Sequence, residues 1–499
     1  MTPLPPSAAR SDEIVIVGAG LGGLSAGLRL TGAGRPVTIL EAGSEPGGLM
    51  GQRRIAGYRF DTGPTVLTMP ELIDDALACV GESRADWLRL NRLDPSYRAE
   101  FADGSVLRSF ADPARMAEEV RAVCGPGEVA GYERLIARLA QIYRAEFAAY
   151  MDRNLDRFRD LVRPEALALL RLGGLRSLNH LVGSFVSDDR LRRLFTFQAL
   201  YAGLAPARAR ALYGVIPYLD SVAGIWFPEG GMHRVAQALA GAGQAHGLTI
   251  RYHCRVERVE INNDRAQAVI TADGERIPAG TVILNTDLGH AYRDLLPAMK
   301  PPRSRRRRYS PSAVVLHIGS RGAIGHGDHH TLSFGRAWKA TFAEIIDGGQ
   351  LMSDPSLLIS QPTVTDPSGA PRGRHTYYVL APCPNTQRGS LDWPRIAPAY
   401  QEELINTLAR RGFDVHGAFT SGLEVTSRET PADWANMGLS AGTPFALAHT
   451  ISQTGPLRHP TQHPHVANLL FCGAGVQPGV GIPTVLLSGK LAAERVIGR

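Results

Sequence analysis

The stretch Ile14-Val15-Ile16-Val17-Gly18-Ala19-Gly20-Leu21-Gly22-Gly23 reads as a strand running into a glycine turn and then a helix. Four β-branched residues in a row fit a strand buried on both faces of a parallel sheet. Gly18 permits the tight turn, Gly20 lets the backbone approach a pyrophosphate, and Gly23 lets the helix pack closely on the strand. Gly22 belongs to the same turn, and bound phosphates sit on the helix N-terminus, where unpaired N–H groups point at them. Leu24, Ala26, Leu28 and Leu30 supply the apolar residues of that helix. The next apolar run, Val37-Thr38-Ile39-Leu40, ends at Glu41, whose carboxylate is placed to accept hydrogen bonds from a ribose and disfavours a 2′-phosphate. With 54 glycines in the chain a glycine triplet alone decides little. Its strand, its helix and its acidic residue at the right distance make it a dinucleotide site.

The remaining composition narrows the class. A chain of 499 residues is long enough for two or three domains. It has no apolar run of about 18 residues, so no transmembrane helix is expected. Residues 1–12 lack an apolar core segment and read as a short tail rather than a signal peptide. Five scattered cysteines without close pairs fit small buried hydrophobes in a reducing cytoplasm better than disulfides or a zinc site. The formal charge of +7 comes mostly from arginine. Its densest cluster, Arg303 with Arg305, Arg306, Arg307 and Arg308, carries no nucleic-acid motif or interleaved aromatics, so no nucleic-acid partner is expected. That cluster reads either as a solvated loop or as a patch drawn to an anionic membrane.

Farther along, Glu45-Pro46-Gly47-Gly48 is a second close-approach turn, and 58–65 is a short strand ending in a third. Helical spacing covers residues 70–81 and 112–163. From 161 to 186 the chain is strongly apolar with interspersed arginines, which fits either a core helix pair or an element lying in a membrane interface. Strands are expected at 248–250, 255–261 and 266–270, and 281–287 reads as a buried strand whose polar end, Asn285-Thr286-Asp287, lies at the mouth of a sheet. Residues 310–450 suggest a mostly antiparallel second sheet, with strands at 313–318, 357–360 and 376–380. A last strand at 468–472 leads into Gly473-Ala474-Gly475-Val476-Gln477-Pro478-Gly479-Val480-Gly481-Ile482-Pro483 and a closing helix. Gly473-x-Gly475-x-x-x-Gly479 imitates a second fingerprint, but has one residue too many and a proline in the turn. No second nucleotide is therefore expected. His326, His329 and His330 form a histidine cluster that reads as a mobile surface or lid segment rather than a metal site.

These motifs, together with Phe60-Asp61-Thr62-Gly63-Pro64-Thr65-Val66, Trp226-Phe227-Pro228-x-Gly230-Gly231, Asn285-x-Asp287 and Tyr292-Arg293-Asp294-Leu295-Leu296, resemble the FAD-dependent amine-oxidase-like superfamily. Within it they resemble the bacterial-type phytoene desaturases of carotenoid biosynthesis, over residues 13–497. The resemblance implies an α/β fold, with a discontinuous Rossmann-like FAD domain (12–90, 226–292 and 463–499). An α+β substrate and membrane-associating domain (91–225 and 293–462) would carry a mixed or antiparallel sheet. It implies that Gly18, Gly20, Gly22 and Gly23 hold the FAD pyrophosphate, Glu41 the adenosine ribose, and the backbone at Val256 the adenine edge. Gly63, Pro64 and Thr65 would lie near the isoalloxazine, with Gly473, Gly479, Gly481 and Ile482 closing over the ribityl and ring. Leu49 and Met50 stand where many relatives have an arginine, so only backbone contacts are expected of Gly47 and Gly48.

The implied reaction dehydrogenates 15-cis-phytoene stepwise towards lycopene, with a hydride passing to flavin N5. The partners would be a lipophilic polyene, a membrane surface met peripherally from the cytoplasm, and oxygen or a quinone as terminal acceptor. No catalytic base is assigned. A ketolase, a polyene isomerase and an amine oxidase share the fold. The last would need an aromatic cage, and only Phe471 lies near the C-terminal motif. A non-enzymatic prenyl escort is the alternative of another class, and it would be expected to lose the phosphate-binding glycines.

Overall fold

Two sheets organise the chain in the computed structural model, which describes residues 12–299, 301, 307–417 and 422–498. The expectations for the N-terminal tail before Asp12, and for Arg303, Arg305 and Arg306, lie outside the described residues. The first sheet has five parallel strands in the order Leu469–Phe471, Thr281–Leu284, Ile14–Val17, Val37–Leu40, Thr249–Arg251. Ile14–Val17 is fully buried and central, in register with Val37–Leu40 on one side and Thr281–Leu284 on the other. Helices Leu21–Gly32, His233–Ala245 and Ile482–Ile497 pack together on one face. The other face carries the three-stranded antiparallel sheet Val256–Asn262, Arg265–Thr271, Arg276–Pro278. Strands from the first, middle and last parts of the chain thus build one layer.

The second sheet has seven strands in the order Leu423–Glu429, Ser312–Ser320, His375–Cys383, Leu357–Ser360, His330–Ser333, Tyr97–Glu100, Val106–Ser109. Each pair is antiparallel except His330–Ser333 with Tyr97–Glu100. The two strands near residue 100 escape sequence patterning because each is only four residues long. Helix Trp393–Arg410 covers the outer face of this sheet.

Three expectations need correction. The helical span 112–163 is two helices, Pro113–Cys124 and Pro126–Glu146, broken at Gly125, whose φ is +97°. Helical structure then continues through Phe147–Met151 and, within that span, returns only as a short 3₁₀ turn at Phe158–Leu161. The segment 161–186 splits the two readings offered for it. Leu169, Leu178, Leu181 and Val182 are buried, whereas Val162, Leu167, Leu170 and Leu175 are exposed. Finally, His329 and His330 do not form a lid: both are buried, and His330 opens a strand. His329 packs on Phe227 and His330 on Tyr97, and burial holds both imidazoles well below their usual pKa.

Candidate active site

The turn after Ile14–Val17 is built from bare backbone. Gly18 adopts φ +100° and donates its N–H to Leu40 O at 2.8 Å. Asn285, at the end of the strand Thr281–Leu284, fills the space behind the turn. Its Nδ2 donates to Gly18 O at 3.1 Å. A Cβ on Gly20 would lie 2.9 Å from Asn285 Nδ2, and one on Gly22 would lie 2.8 Å from its Oδ1 and 3.2 Å from Gly473 N. One on Gly23 would meet Gly18 O at 2.3 Å. The glycines therefore serve two ends: Gly18 and Gly20 line the adjoining cavity, while Gly22 and Gly23 let the helix and the 473 loop close up behind it.

Glu41 also braces the turn. Ala19 N–H donates to its Oε2 at 2.8 Å and Gly43 N–H to its Oε1 at 2.7 Å. A carboxylate has roughly four acceptor positions, so about two remain for hydroxyl donors. Gly47 N–H donates to Ala19 O at 2.8 Å, which lays the second glycine turn alongside the first.

The cavity these turns enter has a volume of about 1240 Å³, above the roughly 300–1,000 Å³ usual for small-molecule sites. Of the residues singled out from the sequence, Gly18, Gly20, Glu41, Gly47, Gly48, Gly63, Pro64, Thr65, Val256, Gly473, Gly481 and Ile482 line it. Gly22, Gly23 and Gly479 do not. A Cβ on Gly479 would lie 2.2 Å from the ring of His449, so that glycine makes room for a buried imidazole. Tyr378, Trp434 and residues within 146–175 and 201–220 also line the cavity, and its lining residues Phe158, Leu170, Leu175 and Ile451 are exposed, which puts an apolar mouth there. Aromatic side chains thus reach it from remote segments, and closeness in sequence to 473–483 was the wrong criterion for finding them.

Several residues hold this geometry without having shown themselves in the sequence. Arg458 is only 2% exposed, and among the described residues no carboxylate forms an ion pair with it. Its guanidinium donates to Val476 O at 3.0 Å and Ala474 O at 2.6 Å, with longer bonds to Leu447 O and Gln453 O. Burial lowers its pKa to about 10. Gln477 clamps the same loop to the cavity wall, accepting from Leu155 N at 3.0 Å and donating to Leu155 O at 2.7 Å. Asp287 caps the turn after Asn285 by accepting from Gly289 N and His290 N. For Asn285 and Asp287 the sequence signals are the Asn285-x-Asp287 motif and its place at the polar end of a buried strand. At the mouth, Gln453 exchanges two 2.8 Å bonds with the backbone of Arg308, which places the described end of the arginine cluster beside Ile451.

Bare glycine backbone, a braced carboxylate and a cavity continuing into an apolar channel fit a dinucleotide together with a long hydrophobic ligand. Comparison with known proteins agrees. Residues 21–497 match the family model described as flavin-containing amine oxidoreductase. A phytoene dehydrogenase of Streptomyces griseus is 50% identical over 489 residues, 98% of this chain and 95% of that protein. A zeta-carotene-forming phytoene desaturase of Myxococcus xanthus is 36% identical, over 97% of this chain and 94% of that one. Among solved structures, an oxidoreductase from Methanosarcina mazei superposes with a TM-score of 0.64 at 17% identity, over 98% of this chain and 100% of that one.

Proposed function

Since the chain belongs to the family of flavin-containing amine oxidoreductases and is an FAD-dependent oxidoreductase, we propose that it dehydrogenates phytoene stepwise towards lycopene. The observation that carries this reading is the single cavity joining the glycine turns to an apolar mouth. A hydrocarbon offers no heteroatom to activate, so the protein's task is to exclude water and align an allylic carbon with the cofactor. FAD supplies a two-electron acceptor that takes a hydride at N5. Gly18, Gly20, Gly47 and Gly48 would bear on the pyrophosphate, Glu41 on the ribose and Val256 on the adenine edge. Gly63 to Thr65 would lie beside the isoalloxazine, with Gly473, Gly481 and Ile482 over the ribityl and ring. Gly22, Gly23 and Gly479 act through packing.

Among the described residues no helix is long and apolar enough to cross a membrane. Of the cavity-lining residues, Phe158, Leu170, Leu175 and Ile451 are exposed, and the exposed Val162 and Leu167 stand beside them in sequence, with arginines between them. We infer peripheral attachment to a cytoplasmic membrane face, where apolar side chains enter the interface and each arginine near an anionic surface adds about 1 kcal/mol. The polyene then enters from lipid, and electrons leave to oxygen or a quinone. The deciding experiment incubates the FAD-loaded protein with phytoene in liposomes and separates the pigments by absorbance. Coloured products of lengthened conjugation are expected. A colourless extract from yellow protein would redirect the search to other polyenes or to amines, and a protein without flavin would favour an escort.

A further inference from the structure

Removing two hydrogens from adjacent carbons as a hydride and a proton requires a place for the proton. Four carboxyls line the cavity: Glu41, Glu146, Asp220 and Asp287. Glu41 and Asp287 accept from the backbone N–H groups they brace. Among the cavity's imidazoles, His290 is bonded to Asp294, and burial holds His449 far below its usual pKa. Glu146 and Asp220 remain, in opposite surroundings. Glu146 ends the helix Pro126–Glu146; its Oε2 is buried without a hydrogen-bond partner, which fits a neutral carboxyl. Asp220, 2% exposed, is surrounded by donors. Tyr97 Oη donates to its Oδ2 at 3.1 Å, while Gln198 Nε2 at 3.2 Å and Ser221 Oγ at 2.9 Å donate to its Oδ1. Three neutral donors and no bonded cation hold an acceptor-only carboxylate ready without tying it to a counter-ion.

Its position suits the task. Asp220 follows Val215, Ile216 and Leu219 along the cavity wall. Behind it, Tyr97 packs on His330, whose ring lies against the Thr65 backbone. We propose that Asp220 is the proton acceptor of the dehydrogenation. One C–H bond gives its hydrogen and electron pair to the flavin as hydride. The neighbouring C–H bond gives its proton to an Asp220 carboxylate oxygen, and its electron pair becomes the new C=C bond. The titratable groups facing Asp220 are Tyr97 and Tyr201, both kept protonated by burial. Burial outweighs the three hydrogen bonds and raises Asp220 to about 7, where a general base works best near neutral pH.

The test, resting on the desaturase reading above, follows flavin bleaching by phytoene anaerobically across pH in wild type, Asp220→Asn, Asp220→Glu, Tyr97→Phe and Glu146→Gln. The wild-type rate should rise with pH through about 7. Asp220→Asn should lose that rise and roughly 10²–10⁴-fold in rate while keeping its flavin, with partial rescue by Asp220→Glu. Tyr97→Phe removes a donor to the carboxylate and should move the rise to higher pH, a shift that a purely structural role does not produce. If Asp220→Asn fails to fold, Tyr97→Phe and Asp220→Glu carry the test. Independently of turnover, infrared titration of the resting holoprotein should show a protonated carboxyl that forms below about 7 and is missing in Asp220→Asn. An unchanged rate and profile in Asp220→Asn, or loss of the rise in Glu146→Gln instead, overturns the assignment alone. A wild type that makes no coloured product overturns the desaturase reading and the assignment with it.

Discussion

Replacing Arg458 by Met tests whether a buried guanidinium holds the cofactor loop in shape. Two of its bonds, to Val476 O at 3.0 Å and Ala474 O at 2.6 Å, are short, and a hydrogen bond to a charged group contributes about 1.5–3 kcal/mol. Their loss amounts to about 3–6 kcal/mol and leaves two buried carbonyls unpaired. Against this stands relief of several kcal/mol of desolvation once the cation is gone. The net expectation is about 2–4 kcal/mol of lost stability, concentrated in residues 473–478. If FAD must reorder that loop as it binds, the same free energy weakens its affinity roughly 30- to 700-fold. Thermal melts of apoprotein and fluorescence titration with FAD measure the two effects. Arg458→Lys should recover little, because a point ammonium does not span carbonyls of separate segments as a planar fork does. A Met variant with wild-type melting and wild-type FAD affinity would refute the reasoning, and full recovery by Lys would show that charge matters rather than geometry.

Gly20→Val should abolish FAD binding, since its side chain would enter the space between the turn and Asn285; a purified variant that stays yellow would falsify the cofactor placement. Burial raises Glu146 to about 8, so the folded state holds its proton more tightly than the unfolded chain does. The stability this proton confers is complete below about 4.5 and is lost as pH rises through about 8. Glu146→Gln should flatten that decline and exceed wild type at pH above 8 by on the order of 2–4 kcal/mol, which denaturant melts across pH would detect. Leu167→Glu with Leu170→Glu should release the protein from anionic liposomes in a pelleting assay while leaving FAD content unchanged; undiminished pelleting would remove the mouth from the attachment surface.

What could be read in advance was whatever depends on local pattern. The strand Ile14–Val17, its glycine turn and the acidic residue after Val37–Leu40 follow from β-branching, backbone freedom and spacing, and all lie within 28 consecutive residues. Asn285, Arg458 and Asp220 could not be read in this way, because each acts on partners far along the chain. Asn285 reaches a turn 267 residues away, and Tyr97 reaches Asp220 across 123. A lone arginine or aspartate looks like surface in sequence, and only folding surrounds it with carbonyls or donors. His329 and His330 misled for the opposite reason. Flanking glycines suggested a loop, while Thr331, Leu332 and Ser333 after them complete a fully buried four-residue strand.

The packing of Gly22 against Gly473 has a consequence for how the protein is made. The two glycines are near opposite ends of the chain, yet a methyl group on one would touch the backbone of the other. At roughly 5–20 residues per second, the ribosome completes the first turn about 20 to 90 s before it delivers the loop that closes it. For about the last 9 to 38 s of that interval, at the same rate, the strand Thr281–Leu284 has been made but lacks its neighbour Leu469–Phe471 and presents an apolar edge. Cofactor capture by the complete turn therefore waits for the 473 loop, and a chain cut before Leu469 is an exposed half-sheet rather than a slow enzyme.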